Sequence, residues 1–125
     1  MEAVNAYFDK FPKPNQEKYA RFVRAESNAA LGNTEDALHD YNIILNDWTS
    51  PYTERTLISV SNLYLKQKKY NEATQLLKKL ELTSEYKANY GFAINNLMVS
   101  YFQIGDYKEA LNYTNAVKNY EKSSE

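Results

Sequence analysis

The sequence predicts an all-α fold built from helix hairpins, and three observations carry that prediction. Ala37, Ala73 and Ala110 recur 36 and 37 residues apart, each in a similar frame: "NTEDALHDY", "KYNEATQLL" and "DYKEALNYT". Apolar residues on either side of each alanine recur at gaps of three and four, which puts them on one helix face. Breakers are scarce, with three Gly and three Pro beside twelve Tyr in 125 residues, a balance that suits packed helices joined by short turns.

Taken in chain order, residues 2–11, "EAVNAYFDKF", read as the second helix of a hairpin whose first helix is missing. Phe11 precedes "PKP" there, as Trp48 precedes "TSP" later. Six further helices are expected, at 15–31, 34–47, 51–67, 70–81, 86–103 and 106–120, making about seven. The first helix of the second pair carries Leu57, Val60 and Tyr64; that of the third carries Ile94, Leu97, Met98 and Tyr101. Behind the alanines run second stripes: Tyr41, Ile44 and Leu45; Leu77 and Leu80; Tyr113, Val117 and Tyr120. The tail "EKSSE" should fray.

The turns have their own chemistry. "LGNTEDAL" and "IGDYKEAL" put Gly32 and Gly105 where a helix ends in the left-handed conformation, which a Cβ disfavours. Asn33 and Asp106 would then cap the next helix. The middle turn has Lys68 and Lys69 at these positions and should be the least well capped, by about 1 kcal/mol. The alanines are small because paired helices approach closely there. Counting back from Ala37 puts Arg21, Arg24 and Asn28 on inward positions of the first pair. Either that helix is rotated, with Ala20, Val23 and Ala30 inward, or the arginines meet something acidic; rotation is the expectation.

Composition excludes several functions. Fifteen basic residues against sixteen acidic ones leave no surplus to displace counterions from phosphates, so nucleic acid is not an expected partner. No apolar run reaches the roughly 18 residues of a transmembrane segment. The start "MEAVNAYFDK" is unlike a signal peptide, so the chain is expected to be cytoplasmic or a trimmed piece of a longer one. Without cysteine there is no disulfide or thiolate chemistry.

His39 stands alone, without a second ligand at helical spacing, and reads as an exposed or interhelical residue. Glu35, Asp36 and Asp40 could be paired acids or calcium ligands, but acids in the first turns of a helix complement its dipole. Lys66, Lys68, Lys69, Lys78 and Lys79 read as a solvated edge, and Tyr64, Tyr70, Tyr101 and Tyr107 as core. No enzyme and no cofactor or metal is expected.

The Gly, Asn or Asp, acid and Ala frame resembles the tetratricopeptide repeat. The family's small residue at the eighth repeat position falls on Ala25 and Ser61 but on Met98 in the third unit; its aromatic at the eleventh falls on Tyr64 and Tyr101. Its closing Pro is missing from all three units. The resemblance implies a right-handed α-α superhelix, a solenoid with repeats at 18–51, 52–85 and 88–120 in one domain, a slice of a longer array. It further implies a non-enzymatic scaffold that holds a peptide or protein segment on the concave face. The family's groove positions are Tyr19, Phe22 and Glu26; then Arg55, Ile58, Asn62 and Lys66; then Phe92, Asn95, Val99 and Gln103. Tyr19, Phe22, Ile58 and Phe92 would be apolar anchors, and Asn62 and Asn95 would bond an extended backbone. A clamp for a terminal carboxylate is not implied, since its positions hold Phe22, Glu26, Ser59, Phe92 and Asn96. "YFDKFPKP" and the 36-residue spacing are similar to bacterial cell-envelope members, which adds a periplasmic location and a second role, as a structural or oligomerisation segment of a larger envelope assembly or sensor that self-associates through open solenoid ends.

Overall fold

The computed structural model describes residues 14–124, and the regular structure among them is entirely helical. The elements are α1 (Pro14–Ala30), α2 (Thr34–Leu45), α3 (Thr53–Lys66), α4 (Tyr70–Thr83), α5 (Lys87–Ile104) and α6 (Tyr107–Ser124). The expected helix at 2–11 lies outside the described residues. No helix among them is long and apolar enough to cross a membrane. The chain groups into two compact units divided within α3, after Ser59.

The turns in "LGNTEDAL" and "IGDYKEAL" share one backbone geometry with the turn between them in the chain. Gly32, Lys68 and Gly105 all have positive φ, at 84°, 60° and 93°. At each, the left-handed residue donates its N–H three residues back, to Ala29, Leu65 and Phe102. The next residue donates five back, from Asn33 to Asn28, Lys69 to Tyr64 and Asp106 to Tyr101, at 2.8, 2.8 and 2.9 Å. This paired pattern satisfies carbonyls that the helix end would otherwise leave without partners. The carbonyls of Asn33, Lys69 and Asp106 then accept the first bond of the following helix, from the N–H of Ala37, Ala73 and Ala110, each at 3.0 Å. Lys68 thus closes the middle turn as glycine closes the others, but with a Cβ in a region that disfavours one.

Side-chain capping departs from expectation at Asn33. Its amide makes no cap bond; it donates instead to Asn28 Oδ1 at 3.2 Å. Asp106 does cap, weakly, accepting from the Glu109 N–H at 3.3 Å. The helix α6 extends to Ser124, past the expected end at 120; Lys87 Nζ donates to the Ser123 carbonyl at 2.7 Å, which ties the last turn of α6 to the start of α5.

In the first unit α1 packs on α2, and Ala20, Phe22, Ala25, Ala37, Tyr41, Ile44 and Leu57 are buried. The expected rotation of α1 does not occur. Ala30 is exposed and Val23 only half-buried, while Arg21 and Arg24 keep their inward positions and meet an acid. That acid is Asp40, 2 % exposed. It accepts from Arg21 Nη1 at 3.1 Å and from Arg24 Nε and Nη2, both at 2.7 Å. Asp40 is therefore not a solvated acid at a helix start; it neutralises two guanidinium groups, and its hydrogen bond holds the Arg24 pKa above the ordinary arginine value.

In the second unit α4 packs on α5, and α5 on α6. Ala73, Leu77 and Leu97 form a core cluster, with Tyr64, Leu65, Phe92, Tyr101 and Tyr113 against it. All three repeat alanines are buried, which permits close helix approach. Tyr64 and Tyr101 take part in the core as expected, but Tyr107 is exposed, its ring tilted against that of Phe102, itself exposed, at 5.7 Å. Gly91 is needed where α5 and α6 meet: a Cβ there would overlap the ring of Tyr120.

Candidate interaction surfaces

The first unit offers an aromatic and charged face. Tyr19, which is exposed, tilts against Tyr52 with ring centroids 6.0 Å apart. Tyr52 stacks on Phe22 at 5.2 Å, and the Arg55 guanidinium lies over the Phe22 ring at 4.8 Å. Phe22, expected as an anchor for a partner, is only 5 % exposed. Its apolar surface is already used by its own unit, and Tyr19 with Arg55 takes the outer position.

Glu26 is committed internally as well. It accepts from Tyr41 Oη at 2.7 Å and Ser59 Oγ at 2.5 Å, joining α1, α2 and α3. Burial, and then this bond to Glu26, pushes the Tyr41 hydroxyl well above the ordinary tyrosine pKa. Ile58 is half-buried. A smaller pocket of about 170 Å³ lies between α1 and α2, with Glu17, Lys18, Arg21 and Asp47 among its walls. Its charges are mutually paired: Lys18 to Asp47 at 3.0 Å, and Arg21 to Glu17 at 3.1 Å. The Thr49 hydroxyl, and after it Lys18, hold the Asp47 carboxyl below its ordinary pKa.

The second unit carries the other expected positions. Asn62, Lys66, Asn95, Val99 and Gln103 are exposed. Phe92 is half-buried against the core cluster. The Asn95 amide donates to the Gly91 carbonyl at 3.0 Å, and that of Asn96 to Phe92 at 2.9 Å; each keeps a side-chain oxygen for another donor. Lys78 Nζ sits over Tyr101 at 5.8 Å, Tyr101 stacks on Tyr113, and Tyr113 Oη donates to Glu81 at 2.7 Å. Desolvation followed by the Glu81 bond raises the Tyr113 pKa.

One surface was not singled out from the sequence. Met98, Val99 and Phe102 of α5 and Tyr107, Ala110, Leu111 and Thr114 of α6 line an open trough of about 400 Å³. Its walls are apolar and carry no charge, and Phe102 and Leu111 are 58 % and 68 % exposed. A partial signal was present: the third frame has Met98 at the small-residue position, where the others have Ala25 and Ser61.

His39 is exposed, and among the described residues no set of three His, Asp or Glu side chains is placed to hold a metal. The fold of the described residues is all-helical. Comparison with protein-family models, curated proteins and solved structures returned no match.

Proposed function

We propose that this chain is a non-enzymatic scaffold of the tetratricopeptide type that binds a peptide or protein segment on the faces of its first helices. The observation that supports this reading is the threefold hairpin closure: Gly32, Lys68 and Gly105 share one hydrogen-bonding pattern, each followed five residues later by a buried alanine. Such repetition builds surface rather than a reactive centre. In the first unit the contact groups are Tyr19, Arg55 and Ile58; in the second they are Asn62, Lys66, Asn95, Val99 and Gln103. Aromatic and Arg side chains are the types that concentrate interface energy, while asparagines can bond an extended backbone.

The test uses the full chain to select from a phage-displayed random peptide library. The double variant Arg55→Glu with Asn95→Ala alters two exposed side chains and should leave the helical circular dichroism intact. Loss of capture of the selected peptides is the expected result; capture equal to that of the wild type would reject these contact positions. The uncharged trough of α5 and α6 favours a second reading, a structural segment of a larger assembly held through that face. The variant Leu111→Glu separates the two, since loss of capture of the selected peptides would move the contact from the first-helix faces to the trough.

A further inference from the structure

We infer that the α5–α6 trough is a docking site for one amphipathic α-helix whose inward face carries no charge, seated as α5 is seated on the α3 end and α4. The chain contains an occupied counterpart of this surface. Moving back one repeat, 37 residues, takes Ala110 to Ala73, Thr114 to Leu77 and Phe102 to Leu65. Ala73 and Leu77 are sealed by Phe92, Leu97 and Tyr101 of α5, with Leu65 packed beside them. The same comparison takes Leu111, 68 % exposed, to Thr74, 8 % exposed. Ala110 is covered by its own hairpin, but Phe102, Leu111 and Thr114 beside it stay exposed, whereas Leu77 at the position of Thr114 is fully buried.

The new site also continues an existing interface. Met98 and Phe102 follow Leu97 and Tyr101 directly along α5, so the trough begins where the α4 contact ends.

The chemistry selects the occupant. The Thr114 hydroxyl already donates to the Leu111 carbonyl at 2.6 Å, so the walls demand no polar partner. A ligand must satisfy its own backbone, as a helix does and an extended strand would not in an uncharged trough. It must also present an inward face without charge. The α1 helix of a second copy, entering in the repeat register, would bring Arg21 and Arg24 against these apolar walls and separate them from Asp40, at a large desolvation cost. A helix with an apolar face resembling that of α5, large residues spaced like Phe92, Leu97 and Tyr101, meets both conditions.

The probe is a fluorescein-labelled 18-residue peptide with the α5 sequence, titrated with the full chain and followed by anisotropy. The wild type should bind it saturably. Leu111→Glu should weaken binding at least about tenfold, while a thermal melt shows its fold unchanged, as the exposure of Leu111 requires. A peptide carrying Leu97→Asp should not bind. Absence of saturable binding, or binding indifferent to Leu111→Glu, overturns the site. A dimer in sedimentation that Leu111→Glu dissolves would also overturn it, assigning the trough to a second copy.

Discussion

Replacing Asp40 by Leu is the sharpest perturbation of the first unit, because the structure makes opposite predictions for the single and the combined change. Asp40 has a side chain only 3 % exposed and accepts three hydrogen bonds from two guanidinium groups. Removing one side of a buried ion pair typically costs about 3–5 kcal/mol, since the remaining charge loses its compensation. Here the Arg21 and Arg24 side chains retain 19 % and 23 % exposure, so partial rehydration lowers the expected loss to about 2–3 kcal/mol. In a unit of this size that is a fall of roughly 10 °C or more in melting temperature. One repeat later the same three positions hold Leu57, Val60 and Leu76. The triple variant Arg21→Leu, Arg24→Val and Asp40→Leu replaces the ionic trio by that apolar set. It should recover most of the loss, as apolar replacement of buried ion pairs commonly does; the exposed Glu17–Arg21 pair contributes only a few tenths of a kcal/mol. Urea unfolding followed by circular dichroism measures both variants. A triple variant as unstable as Asp40→Leu alone would refute the reasoning, because the defect would then not be uncompensated charge.

Three further outcomes are expected. Lys68→Gly should raise stability by about 0.5–1 kcal/mol, the left-handed cost of about 1–2 kcal/mol less the greater freedom of unfolded glycine; Gly105→Ala, at φ 93°, should lower it in the same denaturation assay. Gly91→Ala should destabilise by about 1 kcal/mol, since moving the Tyr120 ring outweighs the helix-propensity gain. In a Tyr120→Ala background the same change should be stabilising by about 0.5–1 kcal/mol, and an unchanged sign would exclude the clash. Tyr41 and Tyr113 have folded pKa values raised above the ordinary value of about 10. Their contribution is therefore intact below about pH 10 and lost as pH climbs beyond it, because the unfolded chain releases these protons first. Tyr41→Phe should make the alkaline decline of the unfolding free energy shallower, which urea titrations between about pH 9 and pH 11 would register.

The hairpins were legible in the sequence because their determinants are local. Gly32 and Gly105 mark left-handed residues, Ala37, Ala73 and Ala110 mark close approach, and gaps of three and four mark the stripes. Helix ends were placed within a few residues for the same reason, apart from the last helix, whose polar tail offered no apolar pattern to read. Long-range pairing was not legible. Arg21 and Arg24 at inward positions suggested a turned helix, because Asp40, sixteen and nineteen residues away, also fits a helix-start acid. The burial of Phe22 depended on Tyr52 and Arg55, which no spacing rule ties to it. Among the expected contact residues, those at positions Tyr19, Arg55, Asn62, Lys66, Asn95, Val99 and Gln103 emerged accessible, while Phe22 and Glu26 were drawn into internal contacts.

Repeat-related positions that differ within this chain say more about its use than those that agree. Where the three frames coincide, at the left-handed turn residue and the following alanine, the side chains serve the hairpin and are unavailable to a partner. Where they diverge, the divergence takes two forms. At Arg21, Arg24 and Asp40 three substitutions compensate one another, and the unit closes on itself with charges matched. At Met98 the third frame places a large apolar side chain where Ala25 and Ser61 stand in the others, and with Phe102 and Leu111 it lines an exposed apolar face. A surface that only faced water would gain nothing from that direction of change, because each added apolar area is unfavourable to expose. The compensated set is therefore structural, and the apolar set is the face that the helix proposed above would cover.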